Sequence, residues 1–335
     1  MELYLDSADL REIKEAFKLG FLKGLTTTPT FMHRHGVTDI DGLMLKLSDM
    51  VPVLQIEALG KTADEIVNEA HRQLALGLNK EKTVFKIPIS IEGVKACKRL
   101  RNENILVNVH LIYTLQQAYM ALEAGANYVC PLVGRLQDQG HDALDVVEQI
   151  VNAVEVYGYD AKVMFSSVRH PEHVRNAINL GAHVCTIPWK VMKMLTENAF
   201  TSIGTEQFYE HTRMMTVKVR DIMGKSNPKV SMDDSLTDAL VKMTESGFGC
   251  VSVMNGSEKL EGVFTDGDLR RLIEKEGKEG LQKKMLDLKY KTPITIDGEA
   301  LLHEASLVFH DKSVDNIIVL HGDEVVGILD IQDLN

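Results

Sequence analysis

Across the first ~210 residues one pattern recurs: a short apolar run, a polar turn, then a stretch with apolar residues at helical spacing. The apolar runs fall at 3–6, 24–27, 53–57, 84–87, 106–109, 128–132, 162–165 and 184–187, which makes eight. Helical spacing occupies 7–18, 62–76, 91–101, 114–124, 141–157 and 170–180. Gly125 and Gly181 stand just past two of these, where a helix end favours a left-handed residue. Strands that alternate with helices pair in parallel, because each helix carries the chain back across the sheet. Eight such units in ~200 residues predict an α/β fold closed into a (β/α)8 TIM barrel. An open doubly wound sheet would run from its first strand into a glycine-rich phosphate loop. Here the first run continues Asp6-Ser7-Ala8-Asp9, without glycine.

A last barrel helix is expected at about 191–213, and beyond it the pattern changes. Two similar segments follow, repeat one at about 217–274 and repeat two at about 281–335. Each reads strand, helix, strand, turn, strand, short helix. A repeat of roughly 55 residues marks a duplicated module. The predicted organisation is a barrel over 1–213 and a smaller α+β pair over 217–335.

The chain carries 37 basic and 48 acidic side chains, a net charge of −11. Nucleic acid and anionic membrane surfaces both need a concentrated positive field, so neither is an expected partner. The four cysteines, Cys97, Cys130, Cys185 and Cys250, are scattered without a CxxC pair. No disulfide framework or metal site is expected, and a reducing cytoplasm fits. The MELYLD start is strand-like rather than a secretory signal, and no apolar run approaches a membrane span.

In a barrel of this kind catalytic side chains project from the C-terminal ends of the strands. One residue from each predicted end gives Asp6, the Thr26–Thr28 group, Glu57, Lys86, Asn108, Cys130, Ser167 and Trp189. Lys86 stands out, in Thr-Val-Phe-Lys-Ile-Pro-Ile. Lysine is almost never buried without a partner. An outward-facing or ion-paired structural lysine accounts for the pattern. So does a desolvated amine able to attack a carbonyl. Such an amine needs groups that move protons, and Asp6 and Glu57 supply carboxylates at nearby strand ends. Asp6 also reads as a helix N-cap ahead of 7–18. Arg135, Ser167 and Arg169 follow strands six and seven, where barrels often hold phosphate.

These residues carry a resemblance. The segments MELYLDSADLREI, GLTTTPT, PVLQIEALGKTADEIVNEA, TVFKIPIS, NENILVNVHLIYTLQQAYMALEAGANYVCPLVGRLQDQG and FSSVRHPEHV resemble, in order, the small bacterial transaldolases and fructose-6-phosphate aldolases. The resemblance implies a lysine Schiff base that makes or cleaves a C–C bond in a sugar phosphate, without a catalytic cofactor. Residue by residue it implies Lys86 as the imine-forming amine and Asp6 as the acid–base group. It further implies that Glu57 works through a water, that Asn108 belongs to the site, and that Arg135, Ser167 and Arg169 hold phosphate. Three positions depart from that pattern. Thr28 replaces an asparagine that contacts the donor, His110 replaces a threonine that holds the water, and Cys130 replaces a serine or alanine near the donor. All three lie at the donor end, so the expectation is a phosphorylated aldehyde acceptor with an altered donor. His110 is a candidate proton shuttle.

The tail resembles a tandem pair of cystathionine-β-synthase-type (CBS) domains, and VRDIM…EGVFTDGDLRRLIE is similar to the pair in arabinose-5-phosphate isomerases. That resemblance implies an adenine or cytidine nucleotide, or a nucleotide-sugar, held through Gly262, Thr265 and Asp268. In repeat two Gly327 and Asp333 fit, while Asp330 replaces the hydroxyl residue. The expected function is a lysine Schiff-base aldolase or transaldolase regulated by that nucleotide, and a homo-oligomer. One sharper version joins glycolaldehyde to glyceraldehyde 3-phosphate to give arabinose 5-phosphate. The alternative is a non-catalytic sensor of sugar phosphate and nucleotide.

Overall fold

The strand β4 (Thr83–Pro88) shows how the first part of the chain is built. Phe85 and Ile87 point outward into the layer between strands and helices, whereas Val84 and Lys86 point into the barrel; all are buried. Both faces of such a strand are covered, so its sequence is a near-continuous apolar run. β1 (Glu2–Asp6), β2 (Gly24–Thr26), β3 (Leu54–Glu57), β4, β5 (Leu106–Ile112), β6 (Tyr128–Pro131), β7 (Lys162–Phe165) and β8 (Val184–Ile187) pair in parallel and in sequence order. β8 closes on β1 through Glu2–Val184 to Leu5–Ile187. This is the predicted barrel. Its lower interior is filled by Tyr4, Val84, Tyr128, Cys130, Met164 and Val184.

The computed structural model describes residues 1–34, 36–224 and 226–334. It divides into two compact units, Met1–Glu197 and Asn198–Asn335. That division falls ahead of the boundary expected at 213–217. The helix expected over 191–213 is two helices, Trp189–Met194 and Ala199–Thr216, because Asn198 accepts hydrogen bonds from the backbone N–H of Phe200 and Thr201 and starts a new one. The second of these belongs with the tail: Arg213 donates to the backbone carbonyls of Asp333 (3.3 Å) and Leu334 (2.5 Å), and Met214 packs on the tail's core. Along this helix no residue is buried, and Phe200, Phe208 and Tyr209 are exposed. The first barrel helix begins later than expected, at Leu10, and its N-cap is Asp9, not Asp6.

The second unit holds two three-stranded sheets. One has the order β11-β10-β9, from β9 (Lys229–Ser231), β10 (Cys250–Met254) and β11 (Leu260–Thr265). The other has the order β12-β13-β14, from β12 (Thr295–Asp297), β13 (Asn316–His321) and β14 (Glu324–Asp330). Each carries a helix between its first two strands, Leu236–Ser246 and Leu302–Lys312. The segments that lead into the two repeats are exchanged. Val219 and Arg220 donate to Ala300 and Gly298, and Val219 is buried in the second repeat's core. Met285 and Leu286 donate to Asp234 and Met232, and Met285 is buried in the first repeat's core. Glycine permits both crossings. A Cβ at Gly262 would lie 2.3 Å from Tyr290 Cβ, and one at Gly327 would lie 3.0 Å from Met223 Sδ.

Among the described residues, no helix is long and apolar enough to cross a membrane, and no group of three or more His, Cys, Asp or Glu is placed to hold a metal ion. All four cysteines are free and buried.

Candidate active site

A cavity of about 720 Å³ opens at the C-terminal ends of the barrel strands. Of the ten barrel residues that the family resemblance assigns or marks as departures, nine line it: Asp6, Thr28, Glu57, Lys86, His110, Cys130, Arg135, Ser167 and Arg169. Asn108 does not. It lies one layer lower on β5, fully buried, with its amide donating to Gln55 Oε1 at 2.6 Å. Among the described residues, Asn108 Oδ1 and Gln55 Nε2 have no hydrogen-bond partner.

Lys86 enters the cavity floor because Phe85 and Ile87 face outward, and alternation along the strand leaves it no other direction. Its ammonium lies 3.0 Å from Glu57 Oε1 and donates to the Thr27 carbonyl at 3.2 Å. Register places Glu57 of β3 directly beside Lys86 of β4. The other carboxylate oxygen of Glu57 lies 2.9 Å from His110 Nε2. His110 is aimed inward next to a bulge in β5, where Leu111 adopts φ +56°.

The charges are arranged unevenly. Burial pushes the Glu57 carboxyl up, but the Lys86 charge and the contact with His110 outweigh it and hold Glu57 below the usual carboxylate range. Asp6 goes the other way: burial raises it, against the pull of Lys86 and a 2.8 Å hydrogen bond from Thr26. Burial also lowers His110, assisted by the charges of Lys86 and Arg135, so its imidazole is neutral near pH 7. The Cys130 thiol is pushed up to about 11 by burial and is not a thiolate. Two carboxyls in one cavity, shifted in opposite directions, give one anion and one group able to exchange a proton.

The opposite wall carries the cations. Arg135 stands in the helix Val133–Asp138 and Arg169 in the loop after β7, where its guanidinium meets Asp138 at 2.5 Å. Ser167, with φ +59°, joins them. A Cβ at Gly134 would fall 2.2 Å from the Ser167 carbonyl and 3.0 Å from Arg169 Nε, so only glycine lets the helix and the loop approach this closely. The cavity thus has an amine and two carboxylates at its floor and two guanidiniums with a hydroxyl at one wall. That polarity suits a carbonyl compound with an anionic far end.

The model of the transaldolase/fructose-6-phosphate aldolase family matches residues 3–242. This chain belongs to that family. A CBS domain model also matches, over residues 219–275. Curated relatives of this transaldolase-family chain include a "Probable transaldolase" from Coprothermobacter proteolyticus, 42% identical over 212 residues, covering 62% of this chain and 94% of that protein. Another, from Thermoanaerobacter sp. (strain X514), is 37% identical over 220 residues, covering 65% of this chain and all of that protein. Among solved structures, the CBS domain of a membrane protein from Sphaerobacter thermophilus overlays with a TM-score of 0.35 at 19% identity, covering 40% of this chain and 95% of that one.

Several cavity residues of this transaldolase-family barrel escaped the sequence reading. Trp189, expected at the end of the eighth strand, begins a short helix; Thr186 and Pro188 line the cavity instead. Ser166 lines it beside Ser167, and Gln55 forms the layer beneath Glu57. The signal was available. Counting in twos along each strand from Tyr4, Glu57, Met164 and Val184 reaches Asp6, Gln55, Ser166 and Thr186.

In the second unit, Thr265 and Asp268 are brought together, but by each other. Thr265 caps the helix Asp266–Glu276: its hydroxyl and backbone N–H both donate to Asp268, which also holds Arg271 at 2.6 Å. Asp333 accepts from the Asp330 N–H at 2.9 Å in the matching place of repeat two. Gly262 is required by the approach of Tyr290.

Proposed function

We propose that Lys86 forms an imine with a carbonyl substrate and that this chain is a class I aldolase or transaldolase acting on a sugar phosphate. The observation that carries the reading is the buried pair of Lys86 and Glu57. Each side chain is more than nine-tenths buried, 3.0 Å from the other, at the floor of a polar cavity. Desolvating two ions costs several kcal/mol each, and replacing such a pair by apolar residues is often stabilising by about 1–4 kcal/mol. Stability does not account for the pair; chemistry does.

In the cleavage direction, the Lys86 ammonium gives up a proton and its amine adds to the substrate carbonyl carbon. The carbonyl oxygen takes up that proton, a second moves to it from the nitrogen, and loss of water leaves the protonated imine. Asp6 then accepts the proton of the hydroxyl two carbons away. That oxygen becomes an aldehyde as the intervening C–C bond breaks, and the bond's electron pair moves to the imine nitrogen as an enamine. Asp6 then returns its proton to the enamine carbon, and water hydrolyses the resulting imine and releases the donor from Lys86. Alternatively the enamine carbon adds to a second aldehyde, whose oxygen takes the Asp6 proton, and this choice separates aldolase from transaldolase. Glu57, held as an anion, accepts hydrogen bonds from the water lost or gained, and neutral His110 relays its proton. Arg135, Ser167 and Arg169 hold the phosphate.

At the donor end Thr28, His110 and Cys130 are smaller in reach or different in kind from the family pattern. A two-carbon donor, glycolaldehyde, joined to glyceraldehyde 3-phosphate, gives arabinose 5-phosphate with atoms in balance. Borohydride reduction of the enzyme with a panel of aldose and ketose phosphates tests the donor. A stable adduct at Lys86 is expected with arabinose 5-phosphate. An adduct with fructose 6-phosphate alone would replace this donor with dihydroxyacetone.

The CBS segment supports regulation by a nucleotide near Thr265 and Asp268. The Asp268 carboxylate, which accepts from the N-cap residue Thr265, would exchange those bonds for a ribose hydroxyl. Adenine and cytidine nucleotides at about 100 times Kd are expected to stabilise the wild type by roughly 2.7 kcal/mol. Asp268→Ala loses the N3 half of the capping box, on the order of 1 kcal/mol, whether or not ligand is present, so the ligand-dependent increment in Tm is the quantity to compare. An equal increment in both proteins would remove Asp268 from the site.

A further inference from the structure

We propose that Thr186, on the inward face of β8, is a positioning residue for Asp6, acting through the hydroxyl of Thr26; this rests on the aldolase reading above. Three oxygens surround Thr26 Oγ1: Thr186 Oγ1 at 2.5 Å, Asp6 Oδ1 at 2.8 Å and the Leu5 carbonyl at 3.4 Å. Thr26 and Thr186 are 2% and 3% exposed, so bulk water does not compete for either hydroxyl. A threonine hydroxyl has one hydrogen to donate.

The direction of the chain follows from that count. While Asp6 is ionised it can only accept, so the Thr26 hydrogen goes to Asp6 and the Thr186 hydrogen points at Thr26. When Asp6 takes up a proton it becomes a donor. Thr26 then accepts from Asp6 and turns its own hydrogen toward Thr186 or the Leu5 carbonyl. Two hydroxyl rotations reverse the chain while every heavy atom stays in place. An acid–base group is thereby matched by its surroundings in both of its forms. A donor that is itself hydrogen-bonded is the stronger donor, so Thr186 favours the ionised form of Asp6.

Other groups act on Asp6 as well. Burial raises it, Lys86 on β4 opposes that, Glu57 on β3 adds to it, and Cys130 on β6 and His110 on β5 share the cavity. Exchanging the Thr186 hydroxyl for a methyl group leaves all of these in place, which makes Thr186→Val the informative change.

The pH profile of kcat/KM for C–C bond cleavage reads the effect. For Thr186→Val the acid limb is expected to move to higher pH, lowering kcat/KM by about threefold well below the limb while the plateau stays within about twofold. Thr186→Ser should restore the wild-type profile, and Thr186→Ala reads the same limb without a branched side chain should the valine protein not fold. A superposable profile, or a loss equal at every pH, would overturn the role of Thr186. Borohydride trapping in the same proteins keeps the two ideas apart. Failure of the wild type to trap any substrate rejects the aldolase reading. Trapping at Lys86 with an unmoved limb rejects only the role of Thr186.

Discussion

Lys86→Met is expected to abolish C–C bond cleavage and borohydride trapping, with a loss on the order of 10⁴-fold or more, because among the described residues no other primary amine lines the cavity. The same change should destabilise the barrel by roughly 3 kcal/mol, since it leaves the Glu57 carboxylate buried without its partner. Adding Glu57→Gln to Lys86→Met should recover most of that stability and none of the activity. The double-mutant cycle, read by denaturant unfolding and by turnover on one set of proteins, separates the two effects. Residual cleavage above a few per cent of wild type in Lys86→Met would end the imine mechanism. Equal stability of single and double variants would mean that Glu57 takes up a proton or a water at little cost.

The second large effect is expected at the opposite wall. Removing both guanidiniums, Arg135→Ala with Arg169→Ala, should raise KM for a phosphorylated aldehyde by about 10²–10³-fold, because a hydrogen bond to a charged group contributes roughly 1.5–3 kcal/mol. kcat should change little, as a contact made equally in the ground and transition states affects KM alone. The unphosphorylated aldehyde is the control: its KM should not change. Arg169 also pairs with Asp138, and Arg135 is exposed on its helix, so neither is needed for the core. A KM unchanged for the phosphorylated aldehyde would place the phosphate elsewhere.

Much of this barrel was legible because its chemistry and its packing share one rhythm. Alternation along β4 sends Phe85 and Ile87 to the helices and leaves Lys86 inside, and the sequence shows that directly. Depth is harder to read. Asn108 and His110 both face inward on β5, but only His110 reaches the cavity, because depth depends on how the strands are staggered around the barrel. The same ambiguity put Trp189 at the end of β8 in place of Thr186. The ion pair of Lys86 with Glu57, and the contact of Glu57 with His110, depend on lateral register between strands, which no single segment encodes. In the tail, Gly262, Thr265 and Asp268 matched a binding pattern, yet each also has a local structural role: one admits Tyr290, and the other two close a helix end. A motif read from sequence does not separate those uses.

The exchanged lead-in segments of the second unit bear on how such a chain could have been assembled. Met285 completes the core built on β9–β11, and Val219 completes the core built on β12–β14. Either repeat by itself would keep a gap in its core and carry an apolar lead-in segment with nothing to cover. A single repeat could complete its core only with the lead-in of another copy, so in this architecture the smallest self-contained part is two repeats.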